Sequence, residues 1–241
     1  MAIGFPDYIV NEMVTQSLSN VTLSSVLMNQ YTREAGHPRL VTILSKIYTN
    51  LTERSINPNS EILITVGGHD AIFCSIFAHV NPGDEVIIIE PFFESYSPAT
   101  ILSGGTPVFV PLRPKKAEGL IRGQDWVINK HELRRKFSHK TKMVILSSPN
   151  NPTGKIMNKF ELQTIAKLCI KFNTLVLMDE VYEWMIFDNN KLIRMRMWNR
   201  TIRIGSAGKS FAVTGLKIGF AYGPEHLIKP LKLLHEYSTS R

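Results

Sequence analysis

The sequence predicts an α/β fold of three layers, a mostly parallel sheet covered by helices on both faces. Helical and strand signals alternate from about residue 39 onward. The strand runs are apolar throughout, where half-buried strands would alternate, and this marks strands buried on both sides. The chain has 241 residues, 44% apolar and 20% charged, which suits one large domain with a sizeable core, or two small ones.

"RLVTILSKIYTNLTERSI" carries apolar residues at helical spacing, and "EILITV" is a short strand run. "GGHDAIFCSIFAHV" opens on two glycines and continues with helical spacing. "DEVIIIE" follows the turn signal "NPG" and reads as a buried strand, and "PVFVPL" as another. "KMVILSS" is a strand ended by "PNNPTG", which is nearly all turn chemistry. "NKFELQTIAKLCIKF" is an amphipathic helix, with Asn158 and Glu161 spaced as a capping box. "TLVLMDE" and "TIRIGS" complete the strands.

Composition excludes several classes. No apolar run approaches the roughly 18 residues of a membrane span, and the N-terminus shows no secretion signal. The net charge of +8 suits nucleic acid or anionic small molecules. The densest basic stretch, "LIRMRMWNRTIR" with Arg194, Arg196, Arg200 and Arg203, lacks stacking aromatics. It is expected to be a solvated face or irregular loop, so no nucleic-acid partner is expected. Cys74 and Cys169 show no metal or redox spacing and read as buried thiols in a reducing compartment.

In parallel sheets, sites lie at the carboxyl ends of the strands, and the polar residues cluster there. "GGH" follows Val66, "PFFESY" follows Glu90, "SPNNPTG" follows Leu146, "DEVY" follows Met178 and "GSAGKS" follows Ile204. Five strand ends are expected to converge on one cleft. The amides of Gly68 and His69 could hold a phosphate at a helix N-terminus, or simply make a tight turn. Phe93 could stack on a flat ring and Tyr96 reach a ligand, or both could be core. Asn151, held extended by Pro152, could offer an amide to an oxyanion. Asp179 ends a strongly apolar run and needs a cationic or hydrogen-bonded partner. It could hold a protonated ring nitrogen while Tyr182 meets a ring oxygen, or it could be a helix cap. A lysine among apolar neighbours and other cations loses proton affinity and can attack a carbonyl. Lys209 fits that role, with Ser206 and Lys217 as phosphate ligands. A flat phosphorylated aldehyde with a ring nitrogen and a phenolic oxygen needs this set, which is the description of pyridoxal 5′-phosphate (PLP).

Taken together, "NQYTREAGHPRLV", "EILITVGGHDAIF", "EVIIIEPFFESY", "SPNNPTGK", "MDEVYEWM" and "GSAGKSFAVTGLKIGF" resemble the fold-type I, PLP-dependent aminotransferases. More narrowly they resemble the kynurenine aminotransferase group, also called glutamine transaminases or cysteine-S-conjugate β-lyases. The likeness runs from about Asn29 to Lys232. It implies residues 29–232 as the PLP-binding large domain, 1–28 as a shortened N-terminal segment, and 233–241 as a truncated tail where a small domain would begin.

The resemblance also implies roles. Lys209 would be the Schiff-base lysine and proton shuttle, and Asp179 would hold the pyridinium. Tyr182 and Asn151 would bind the ring oxygen, and Phe93 would stack on the ring. Gly68, His69, Ser206 and Lys217 would hold the phosphate. Tyr31 would reach the phosphate of a neighbouring subunit in a homodimer. Gly4, Tyr96 and Asn151 would face the substrate, an amino acid of kynurenine, glutamine or aromatic type, with a 2-oxo acid as acceptor and β-lyase chemistry on the side. No metal is implied, and the setting would be the cytoplasm, with the mitochondrion as the other compartment.

The sequence departs from the family pattern in places. Gly68 and His69 stand where Ala and Tyr are expected, and Leu216 and Phe220 where Trp is. "GFPD" and "KLIRMRMWNRTIRIG" look shortened. No residue matches the arginine that pairs with the substrate carboxylate, so a non-catalytic PLP-binding partner or regulator is the alternative reading. A generic nucleotide-binding α/β module would need a phosphate-loop signature that the sequence lacks.

Overall fold

The computed structural model describes residues 6–115 and 118–239. Its centre is an eight-stranded sheet ordered β1-β8-β7-β6-β5-β2-β3-β4. The strands are β1 (Ile62–Val66), β2 (Glu85–Glu90), β3 (Thr106–Pro114), β4 (Trp126–Ile128), β5 (Thr141–Ser147), β6 (Leu175–Asp179), β7 (Thr201–Ser206) and β8 (Ile218–Tyr222). Pairings β2–β3, β2–β5, β5–β6 and β6–β7 are parallel. β8 lies antiparallel between β7 and β1, and β4 antiparallel on β3. Reversing at β8 and again at β1 leaves β1 pointing the same way as β7. The carboxyl ends of β1, β2, β5, β6 and β7 therefore share one edge.

The expected double burial shows in the registers of the central strands. Val86 and Ile88 of β2, Met143 and Ile145 of β5 and Leu177 of β6 face one layer. Ile87, Ile89, Val144, Leu146, Val176 and Met178 face the other. Both faces are packed, so the middle residues of these strands are apolar on both sides and polar ones stand only at their ends. The first layer is built by α3 (Gly67–Phe77), α4 (Tyr96–Leu102) and α8 (Glu225–Thr239), through Ile72, Ala99, Ile228 and Leu231. α5 (Lys130–Lys136) and α6 (Lys159–Phe172) cover the second, through Leu133, Leu162, Ile165 and Cys169. The capping box of α6 forms in full: Glu161 N–H donates to Asn158 Oδ1, and Asn158 N–H to Glu161 Oε2.

α2 (Pro38–Thr52) packs Val41, Leu44 and Tyr48 against Ile62, Phe220 and Tyr222 at the β1–β8 side of the sheet. Between that cluster and the α5–α6 layer lies a buried charge network. Arg203, on β7, donates to Glu180 Oε1 at 2.8 Å. Arg194 bridges Glu180 and Glu183, and the Tyr48 hydroxyl donates to Glu183. The expectation of a solvated face or irregular loop is therefore corrected: Arg194 does lie in irregular chain but is paired with buried acids, and Arg203, on β7, fits neither. Register places Arg203 on the packed face of β7, opposite Tyr222, where only paired charge is tolerated. Arg196 does stay on the surface, beside Glu53.

α1 (Glu12–Ser24) buries no residue, and a 3₁₀ turn over Val26–Asn29 follows it. α8 continues through residue 232 without a break, burying Leu231, Lys232 and His235. Both cysteines are buried and free.

Candidate active site

A cleft of about 420 Å³ opens at the shared edge of the sheet. Every one of the five strand ends contributes to its lining: Gly67, Gly68 and His69 after β1, Phe93 to Ser95 after β2, Asn151 after β5, Asp179 and Tyr182 at β6, and Ser206 and Lys209 after β7. Lys217 and Ile218 enter from the start of β8.

The floor is Asp179, the last residue of β6, only 3% exposed. Its Oδ2 accepts from the Tyr96 hydroxyl at 2.5 Å, and its Oδ1 from the Val181 N–H at 3.2 Å. Burial pushes its proton affinity above the ordinary carboxylate value. The Tyr96 and Val181 donors and the Lys209 charge work against that shift, while Glu180 adds to it. The expected place of Tyr96 on the substrate wall is corrected. Tyr96 opens α4 and is fully buried, so its hydroxyl ends at the carboxylate instead of in the cleft.

Lys209 sits on α7, the single turn Ala207–Ser210, whose start is capped by Ser206; the Ser206 Oγ accepts from the Lys209 N–H at 3.4 Å. The Lys209 ammonium lies 5.5 Å from the centroid of the Tyr182 ring. Burial lowers its proton affinity, Asp179 raises it, and the Lys217 charge lowers it again, with a net downward shift. Burial and the Asp179 charge together hold the Tyr182 phenol above its usual value.

The phosphate-sized end of the cleft is shaped by missing side chains. Gly67 has φ +80° and opens α3, so the first amides of a three-turn helix face the cleft without intrahelical partners. A Cβ at Gly67 would lie 3.6 Å from Lys217 Nζ, and one at Gly68 would lie 3.7 Å from the Ser206 Cβ. Lys217 and Ser206 thus stand on either side of the two glycines. Gly219 of β8 passes so close that a Cβ there would meet the Gly67 carbonyl carbon and the Gly68 nitrogen at 2.3 Å each. Along one wall, Phe93 packs edge-on to His69, and the Ser95 hydroxyl lies 3.1 Å from His69 Nδ1.

Tyr31 is 83% exposed and lies outside this cleft, while Gly4 falls outside the described residues. Sequence reasoning missed the Tyr96–Asp179 bond, which joins residues 83 positions apart and leaves no periodic trace. It also missed the Glu180–Arg203 pair, although an arginine inside the apolar run "TIRIGS" is itself the signal of a buried acidic partner.

This donor set fits a planar, phosphorylated, aldehyde-bearing ring. It offers an anion cup of amides and a lysine, a buried carboxylate, a phenol and a lysine of weakened proton affinity. Comparison with known proteins agrees. The sequence profile of the family described as aminotransferase class I and II matches residues 1–240. Kynurenine–oxoglutarate transaminase 3 of Rattus norvegicus is 48% identical over 241 residues, covering 98% of this chain and 53% of that protein. Kynurenine–oxoglutarate transaminase 1 of Homo sapiens is 40% identical over 242 residues, covering 98% and 57%. The structure of N-succinyldiaminopimelate aminotransferase from Mycobacterium tuberculosis superposes with a TM-score of 0.90 at 34% identity, over 98% of this chain and 60% of that one. The chain spans about half the length of the curated relatives it matches.

Proposed function

The chain belongs to the aminotransferase class I and II family, and from that premise we propose that it moves an amino group between an amino acid and a 2-oxo acid with PLP as cofactor. The observation that carries the proposal is the convergence of Asp179, Tyr182, Lys209 and the Gly67–Gly68 cup on one cleft. The names of the relatives support kynurenine as donor and oxoglutarate as acceptor.

When bound, PLP supplies the aldehyde that takes up the amino group and the conjugated ring that spreads the electron pair left at the substrate α carbon. The residues of the chain do the rest. The amides of Gly67, Gly68 and His69, with Ser206 and Lys217, would hold the phosphate. Asp179 would hold a proton on the ring nitrogen, and Tyr96 keeps that carboxylate in its accepting form by donating to it. Tyr182 and Asn151 would bind the ring oxygen, and Phe93 would cover one ring face. Lys209 is the nucleophile, because its depressed proton affinity leaves more neutral amine at a given pH. Its Nζ then carries the proton to and from the α carbon.

A homodimer belongs to the same proposal, supported by the exposed Tyr31 and by a first helix that buries nothing. β-Elimination from cysteine S-conjugates follows from the same carbanion chemistry, with pyruvate as the product to assay. The two free thiols support a reducing, cytoplasmic setting.

Borohydride reduction of the PLP-loaded chain, followed by peptide mass spectrometry, tests the assignment. The cofactor is expected on Lys209, and Lys209→Ala is expected to abolish exchange between kynurenine and oxoglutarate. Fixation at another lysine, or turnover that survives Lys209→Ala, would overturn it.

A further inference from the structure

Behind the cup, α3 and α8 bury a second group of chemically reactive side chains. Asp70 and Cys74 stand four residues apart on α3 and share a face, and His235 reaches them from α8. Cys74 and His235 are fully buried. His235 Nδ1 lies 3.0 Å from Asp70 Oδ2, and Cys74 Sγ lies 3.4 Å from Asp70 Oδ1. One ligand atom from each residue falls within 4.8 Å of the others, the one such group of His, Cys, Asp or Glu among the described residues.

From this geometry we infer that Asp70, Cys74 and His235 bind a single Zn²⁺ ion that ties α8 to α3. Sulfur, imidazole nitrogen and carboxylate oxygen form a mixed donor set that zinc accepts, and the sulfur and nitrogen disfavour magnesium and calcium. Tetrahedral zinc with bonds of about 2.0–2.3 Å holds neighbouring ligand atoms about 3.3–3.8 Å apart. The Asp70–His235 and Asp70–Cys74 separations of 3.0 and 3.4 Å lie close to that spacing, and the third pair falls within 4.8 Å. One thiolate and one carboxylate leave the buried site neutral around a divalent ion, which avoids stranding net charge in the core. Binding displaces the Cys74 thiol proton to solvent and takes His235 as neutral imidazole. The Asp70 side chain keeps 18% of its surface exposed and marks the entry path, and water completes the coordination.

The Val66 N–H donates to Asp70 Oδ2 at 2.9 Å, so the carboxylate is already oriented by the strand that leads into α3. The sequence hid this site because Asp70 and Cys74 are close in the chain while His235 arrives only when α8 folds back.

Co²⁺ is the spectroscopic probe. The full chain, stripped by dialysis against a chelator, is titrated with Co²⁺ and then with Zn²⁺. One equivalent of Co²⁺ is expected, with the visible bands of tetrahedral cobalt and a sulfur-to-cobalt charge-transfer band, all displaced by one equivalent of Zn²⁺. Cys74→Ser is expected to lose the charge-transfer band and His235→Gln to lose stoichiometric binding. Cys169→Ser, on the other side of the sheet, keeps the wild-type spectrum. If the two ligand variants do not fold, the wild-type titration decides alone. A wild-type chain without the tetrahedral spectrum, or a thiolate band that survives Cys74→Ser, overturns the inference.

Discussion

Gly219→Ala probes how closely β8 must approach the turn that opens α3. A Cβ at position 219 would lie 2.3 Å from the Gly67 carbonyl carbon and from the Gly68 nitrogen, and ordinary contact begins near 3.4 Å, so the two segments must part by about 1.1 Å (3.4 − 2.3). Both obstructing atoms are backbone, so no side chain can swing aside. Overpacking of this kind costs about 1–3 kcal/mol of stability. The displaced atoms also belong to the peptide units that face the phosphate end of the cleft. Losing one charge-assisted hydrogen bond there, worth about 1.5–3 kcal/mol, weakens cofactor binding roughly 10- to 150-fold. Urea unfolding of the cofactor-free chain measures the first effect, and titration of intrinsic fluorescence with PLP the second. Gly215→Ala is the control for stability, since a Cβ there meets nothing within 4 Å and should change the unfolding free energy by less than about 0.5 kcal/mol. If Gly219→Ala unfolds at the wild-type urea concentration and binds PLP with wild-type affinity, the close approach does not shape the cup.

Tyr96→Phe leaves the buried Asp179 without its side-chain donor. The expected loss is about 1.5–3 kcal/mol in urea unfolding, together with a further rise in the Asp179 proton affinity, read from the pH dependence of the bound cofactor's absorption; an unchanged titration would show that the hydroxyl does not act on the carboxylate. Lys209→Met tests the electrostatics of the nucleophile in the cofactor-free chain. Burial holds the folded-state proton affinity of Lys209 below the ordinary lysine value of 10.5, so the protonated amine costs stability at every pH below the folded value. That cost fades as pH rises through the folded value toward 10.5. Lys209→Met should therefore gain stability over wild type at neutral pH, with the difference shrinking as the solution becomes alkaline. A difference that stays constant with pH would refute the depressed affinity.

The strands buried on both faces were readable because a continuous apolar run has few alternatives between turn signals. The capping box of α6 was readable because Asn158 and Glu161 act locally. β8 was not readable. Its first residues, Ile218 and Gly219, follow a glycine-bearing turn, and Gly219 reads as a breaker when its small size serves a contact with another segment. The same holds for Tyr96. Local pattern placed it beside a ligand, but its position in α4 and the 83-residue separation from Asp179 turned it into a partner of the carboxylate. Of the basic stretch, Arg196 behaves as composition suggests, while Arg203 is governed by which face of β7 it occupies.

The segment from Asp179 to Glu183 has two audiences. Asp179 and Tyr182 look into the cleft, while Glu180 and Glu183 are gripped from behind by Arg194 and Arg203. The charge on Glu180 also raises the proton affinity of Asp179. Substitutions in the rear arginines can therefore retune the acidity of the cleft floor while every residue that would touch a ligand keeps its identity. The acidity of the cleft floor is thus set in part from the far side of the wall, by a charge that lies outside the cleft lining.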